Sequence, residues 1–309
     1  MDARLSLGFL GLGAMGEPMV RSLLKAGFPV TVAAHQRRDA LERLVAEGAT
    51  QASDPAAVAV KSAVVIICVP DAPQVEEVLF GERGVAAGLT AGSIAIDMST
   101  ISPIASQRFA GRLAASGVEF VDAPVSGGPV RAASGTLTIM VGAKPEVFDR
   151  VEPVLRAMGT PTLLGGIGMG ETVKLVNQVI IASVMIANIE ALVFARRAGA
   201  DLDAVRKVLA TATGSNYLLD QWLPKTWLAG SFEGGFALDL LRKDLAAALD
   251  AARATRYAMP LTGLAYQLYT ARSGEGDGAL DYSAIAKWYE RIAGDQALAG
   301  SVRQESGLQ

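Results

Sequence analysis

The 309-residue chain carries 28 Lys and Arg against 31 Asp and Glu, a net charge of −3, so it has no basic field to draw nucleic acid or an acidic lipid surface. Hydrophobic residues make up 51% of it, with 33 Gly and few aromatics, which suits a two-domain α/β protein with tight turns and Ala/Leu/Val packing. A single cysteine (Cys68) and a single histidine (His35) exclude a disulfide framework and the usual zinc clusters and argue against a Ser-His-Asp mechanism; no metal is expected.

In chain order, the start reads as a strand rather than a signal peptide, which with the lone cysteine points to a reducing cytoplasm. Leu5 to Leu10 is a short apolar run, followed by GLGAMG from Gly11 to Gly16 and a helical pattern through Lys25. This is G-x-G-x-x-G in its proper setting between strand and helix. Gly11 permits the tight turn, Gly13 lets a pyrophosphate approach the backbone, and Gly16 lets helix and strand pack closely. Gly11, Leu12, Gly13, Ala14 and Met15 are therefore candidate cofactor contacts, with the helix N-terminus facing the phosphates. The next strand, Val30 to Ala34, would end in Asp or Glu in an NAD-type site. Here it ends in Ala34, His35 and Gln36, then Arg37 and Arg38, which open a helix to Glu47. With no carboxylate to repel a 2′-phosphate and two guanidiniums nearby, NADP(H) is the expected cofactor and NAD(H) the alternative. His35 and Arg37 are placed at its adenosine end.

Further apolar strands follow at Ala63–Val69, Ile94–Asp97 and Val118–Val121, alternating with helices at Gln74–Leu79, Pro103–Ser116 and Glu146–Met158. That alternation predicts a parallel sheet covered on both faces, with ligands beyond the carboxyl ends of its strands. Those ends place Val69, Pro70 and Thr100 beside the glycine loop as cofactor contacts. In the stretch Asp122–Gly142, Ser126, Gly127 and Gly128 offer a hydroxyl and unshielded N–H groups, a cradle for a carboxylate. The alternative is a plain glycine turn into a strand at Thr136–Val141.

From Glu171 to Ala198 there is neither Pro nor Gly. At about 1.5 Å per residue this is a helix roughly 40 Å long. It is apolar almost all round (Ile180, Val184, Met185, Ile189, Leu192, Phe194), so other helices are expected to bury it. Asn188, Glu190, Arg196 and Arg197 make a membrane span the weaker reading. Lys174, Asn177 and Gln178 share one face one turn inside the helix, either as a solvated first turn or as a catalytic cluster. Beyond it, helices are predicted at Asp203–Ala212, Tyr217–Trp227, Phe236–Arg253 and Pro260–Ala271. A loop over Ser273–Ile285 leads into a last helix, Tyr282–Ile292, and 294–309 reads as a frayed tail. Tyr217, Trp222, Trp227 and Phe232 read as packing anchors, and Phe236 as a ring able to reach the cleft. The expected division is a dinucleotide-binding domain over 1–165 and an all-helical substrate and oligomerisation domain over 166–309. The long helix is too apolar for one small domain to cover, so a homodimer or homotetramer is expected.

Four blocks together resemble the β-hydroxyacid dehydrogenases: GFLGLGAMGEPM (Gly8–Met19), DAPVSGGPVRAASGTLTIMVG (Asp122–Gly142), GMGETVKLVNQ (Gly168–Gln178) and RKDLAAAL (Arg242–Leu249). The resemblance implies a Rossmann-type domain and an all-helical domain joined by the long helix. It implies Lys174 as the catalytic lysine, Ser126, Gly127 and Gly128 as the loop for the substrate carboxylate, and Asn177 as the amide orienting substrate, with Gln178 beside it. Lys243 is implied near the cofactor, with Asp244 next to it. The DMSTISP block (Asp97–Pro103) and the Asn177-Gln178 pair look most like the tartronate semialdehyde reductase branch. The implied activity is NAD(P)-dependent interconversion of a small β-hydroxy acid and its semialdehyde, the partner being a small carboxylate-bearing aldehyde or hydroxy acid. Hydroxyisobutyrate oxidation and succinic semialdehyde or glyoxylate reduction are alternatives. Imine reductases usually replace the lysine, and the short chain argues against phosphogluconate-type enzymes. A non-catalytic dinucleotide-binding scaffold would be expected to lose the lysine or the SGG loop, and both are kept.

Overall fold

Runs of Val, Ile, Leu and Ala have no polar side to turn to water, and the computed structural model buries them on both faces of one sheet. It describes residues 5–34 and 38–294. The strands β1 (Leu7–Leu10), β2 (Val30–Ala33), β3 (Thr50–Gln51), β4 (Val64–Ile67), β5 (Ile94–Asp97) and β6 (Glu119–Asp122) pair in parallel, in the order 3-2-1-4-5-6. This is the doubly wound order whose crevice opens beyond β1 and β4. Alternation along each strand divides the core. Phe9, Val32, Ile66 and Ile96 pack under helices Gly16–Lys25 and Pro145–Arg156, while Leu10, Val65, Ile67 and Ala95 pack under helices Ala72–Phe80 and Pro103–Ala114.

The parallel reading holds for these six strands and then reverses. After β7 (Val125–Ser126), β8 (Leu137–Gly142) runs antiparallel to both β6 and β7. The return between β7 and β8 holds only the six-residue helix Gly128–Ala133, too short for a crossover. A strand the sequence does not announce, β9 (Gly159–Gly165), pairs parallel to β8. Its Pro161 and flanking glycines read as loop, and only pairing at the sheet's edge makes it a strand.

The chain divides into two compact units, Met1–Leu175 and Val176–Gln309. The dividing point falls within one helix, Met169–Arg197. In the second unit Met185, Ile189 and Leu192 of that helix pack with Trp227, Leu241, Leu245, Tyr269 and Tyr289. Its one mid-helix amide, Asn188, exchanges hydrogen bonds of 2.9 and 3.0 Å with Asn216, which satisfies a polar group on an otherwise apolar surface.

Burial of this helix is not complete on all sides as expected. Val176, Ile180 and Phe194 are 52%, 54% and 74% exposed. The predicted helix Tyr217–Trp227 breaks into the turns Leu218–Trp222, Leu223–Lys225 and Trp227–Ala229, because Pro224 has no N–H to continue the ladder. Tyr217 is exposed and is no packing anchor. Phe236 does the opposite of what its sequence position suggests. Its ring packs edge-on against Tyr282 at 6.2 Å and its N–H donates to Asp281 Oδ2 at 3.0 Å, so it serves the helical core.

Candidate active site

In the first unit the glycine loop follows β1. Gly11 has φ +99°, and a Cβ there would stand 2.0 Å from the carbonyl oxygen of Cys68 at the end of β4. A Cβ on Gly16 would stand 1.8 Å from the Gly11 oxygen. Both glycines are required by contact with backbone, which cannot move aside. Gly13 differs: nothing lies within 4 Å of the Cβ it lacks, so its backbone is open to a ligand. The helix Gly16–Lys25 starts at Met15 with no side-chain cap. Its first N–H groups and positive dipole end are thus presented beside Leu12, Gly13 and Ala14. An open cradle next to an uncapped helix start fits the pyrophosphate of a dinucleotide.

The strand ends beside this loop are tied to each other. The Ser99 N–H donates to Asp97 Oδ1 at 2.9 Å, and Ser99 Oγ accepts from the Val69 N–H at 3.0 Å. Val69 and Thr100 are half-buried and Pro70 is exposed, and the link joins the strand ends on which all three lie. Ser99 stands among the strand ends expected from the sequence to line the crevice; its hydrogen bonds to Asp97 and Val69 are what the structure adds. Two other expected contacts, His35 and Arg37, lie outside the described residues. Arg38, the next guanidinium, is exposed at the start of the helix Arg38–Ala46, and Ala34 brings no carboxylate to the end of β2.

One carboxylate ties the start of the helix that carries Lys174 to the strand that leads into the SGG loop. Asp122, the last residue of β6, is wholly buried; its Oδ1 accepts the Gly168 N–H at 2.7 Å and its Oδ2 the Glu171 N–H at 3.0 Å. These are amides at the start of the long helix, which would otherwise lack acceptors. Lys174, 7% exposed, sits on that helix three residues after Glu171. Ser126 follows Asp122 by four residues and ends β7; Gly127 (φ +133°) and Gly128 (φ +66°) then turn the chain in a conformation that disfavours larger residues. Burial pushes the Asp122 carboxyl up to about 6, outweighing the amides that stabilise its charge. The sequence places Asp122 at a strand end on the crevice without giving its carboxylate a role. The signal was a pair of glycines, since a Cβ at Gly142 or Gly170 would lie 2.4 or 2.8 Å from its oxygens.

In the second unit the polar residues form a chain of their own. Asn177 Nδ2 donates to Gln178 Oε1 at 2.9 Å, and Gln178 Nε2 donates to Asp244 Oδ2 at 2.7 Å. The Lys243 ammonium stands 2.8 Å from Asp244 Oδ1. Gln178 and Asp244 are each 1% exposed. Both ends of the Gln178 amide are thus engaged inside the protein, so it braces Asn177 and Asp244. Asn177 and Lys243, both less buried, are the members of the chain better placed to meet a ligand.

A glycine cradle on a doubly wound sheet, with a buried lysine on the helix that ends the same unit, is the arrangement of a dinucleotide-dependent dehydrogenase. Residues 6–173 match the family model of the NAD-binding domain of 6-phosphogluconate dehydrogenase, and residues 168–289 match that described as the NAD-binding of NADP-dependent 3-hydroxyisobutyrate dehydrogenase. The chain is 40% identical to the 2-hydroxy-3-oxopropionate reductase of Escherichia coli, over 94% of its own length and 98% of the relative's. It is 37% identical to the 2-(hydroxymethyl)glutarate dehydrogenase of Eubacterium barkeri, over 97% and 100%. Among solved structures, the 3-hydroxyisobutyrate dehydrogenase of Mycobacterium tuberculosis with L-serine superposes with a TM-score of 0.86 at 30% identity, covering 93% of this chain and 99% of that one. The chain belongs to the β-hydroxyacid dehydrogenase family and is an NAD(P)-dependent oxidoreductase.

Proposed function

We propose that the protein reduces a small carboxylate-bearing semialdehyde, 2-hydroxy-3-oxopropionate foremost, and that Lys174 manages the proton. The observation that carries this is the buried Lys174 on a helix anchored by Asp122, four residues ahead of the Ser126–Gly128 loop. The loop offers a hydroxyl and N–H groups to the substrate carboxylate. When bound, the nicotinamide supplies the hydride. As the carbonyl carbon is reduced, its π electrons move to oxygen and negative charge develops there. The Lys174 ammonium stabilises that charge and donates one proton, leaving the alcohol and a neutral amine; in the oxidative direction the amine takes the proton back. In burial, each such interaction is stronger than in water.

For the substrate, 40% identity to a 2-hydroxy-3-oxopropionate reductase and the Asn177-Gln178 pair both support this reading. For the cofactor, we favour NADPH, because Ala34 replaces the usual acid and Arg38 stands exposed just beyond. Initial rates with tartronate, methylmalonate and succinic semialdehydes and glyoxylate, each against NADPH and NADH, test both points. The first is expected to give the highest kcat/KM and NADPH the lower KM; a lower KM for NADH overturns the cofactor assignment.

We also propose a homo-oligomer, either dimer or tetramer. Val176, Ile180 and Phe194 fall within about 40° of one line along the long helix at 100° per residue, and they form an exposed apolar stripe. A monomer by light scattering at micromolar concentration contradicts it.

A further inference from the structure

A helix needs acceptors for its first N–H groups, and Ser, Thr, Asn or Asp next to it in sequence usually provides one. The long helix instead takes its acceptor from another strand: Asp122 reaches Gly168 and Glu171 from 46 and 49 residues away. Each oxygen accepts a different amide, so the grip sets both the height and the rotation of the helix start. The surroundings are carved for it. A Cβ on Gly142 would meet Oδ1 at 2.4 Å, and one on Gly170 would meet Oδ2 at 2.8 Å and the Met140 oxygen at 2.3 Å.

Stability alone does not account for this arrangement. Burial raises the carboxyl to about 6, so near neutral pH a charge is kept in the core at a net cost that a neutral cap would avoid. What a two-oxygen carboxylate adds is orientation. Lys174 lies three residues beyond Glu171, about 4.5 Å along the axis, and a rotation of the helix start carries its ammonium with it. The same Asp122 backbone leads into β7 and Ser126. We propose that Asp122 is a positioning residue for proton transfer, holding the Lys174 ammonium in fixed relation to the Ser126–Gly128 loop. The proposal rests on the role given to Lys174 above.

The test uses the full-length enzyme as Asp122→Asn and Asp122→Ala, each with and without Lys174→Ala. Asn keeps one acceptor and sets an NH2 against the other amide; it is the milder variant and carries the test if Ala does not fold. For Asp122→Asn, kcat is expected to fall about tenfold or more, since ångström-scale displacement of a catalytic group costs up to about a hundredfold. The NADPH dissociation constant is expected to stay within about twofold, and amide exchange to quicken over 168–174 but not over 11–16. In the Lys174→Ala background the same substitution is expected to cost no further turnover, because a residue acting through the lysine has nothing left to position. Two results overturn the proposal: kcat for Asp122→Asn within about twofold of the parent, or an equal fold-loss with and without Lys174. A Lys174→Ala enzyme that keeps its turnover overturns the lysine's role, and this proposal with it. That outcome is read from a different variant, so the two failures are told apart.

Discussion

The glycine loop of the first unit and the polar chain of the second are held in shape by opposite means. In the loop, geometry is enforced by backbone against backbone: Gly11 and Gly16 leave no space for a methyl group, and Gly13 is left open. In the second unit, the geometry of Asn177 and Lys243 depends on side chains, Gln178 and Asp244, that join positions 66 residues apart. A backbone device is legible in a few consecutive letters and tolerates no substitution at its contacts. A side-chain device is invisible until the helices are packed, and it fails gradually. The Lys174 helix uses side chains at both places: a carboxylate of the sheet caps its start, and Asn177 and Gln178 join the polar chain farther along.

This contrast can be broken at three points. The largest effect is expected at Lys174, where Lys174→Ala should lower kcat by about a hundredfold or more while cofactor affinity is nearly unchanged. Stopped-flow turnover with fluorescence titration of NADPH checks both, and a mutant with most of its turnover removes the lysine from the mechanism. Next is Gly13→Val. Its side chain meets no protein atom at the Cβ, so the melting temperature should hold, but it fills the open cradle and should weaken NADPH by about tenfold or more, or 1.4 kcal/mol upward. A thermal shift without an affinity loss would mean that Gly13 serves the fold and not the cofactor. The smallest is Gln178→Ala. Removing its amide takes a hydrogen bond from buried Asp244, at about 1–3 kcal/mol of stability, and frees Asn177 to turn. Denaturant unfolding with parallel kinetics should show a stability loss accompanied by a raised substrate KM; unchanged stability would show that the brace carries no strain-bearing role.

Much of the fold was legible in the letters because its signals are local. The buried runs at β1, β4, β5 and β6, the glycine motif and the 29-residue helix each arise from neighbours in sequence: side-chain alternation, a turn that only glycine can make, and a helix with nothing to interrupt it. The candidates Lys174, Ser126, Gly127 and Gly128 stood out because a lysine on an apolar helix and paired glycines after a strand are each anomalous where they occur. What packing decided lay elsewhere. The pairing of β9, the turn of Phe236 into the core and the exposure of Tyr217 depend on which surfaces meet.

By itself, the order of residues determined a dinucleotide-binding sheet, a long connecting helix and the candidate groups of the site, since backbone conformation and side-chain chemistry are properties of short stretches. Only the tertiary structure decided how those groups are aimed. Asp122 and Gly168, or Gln178 and Asp244, are strangers in the chain, and a hydrogen bond between them exists only once folding has removed water and left each the other's available partner.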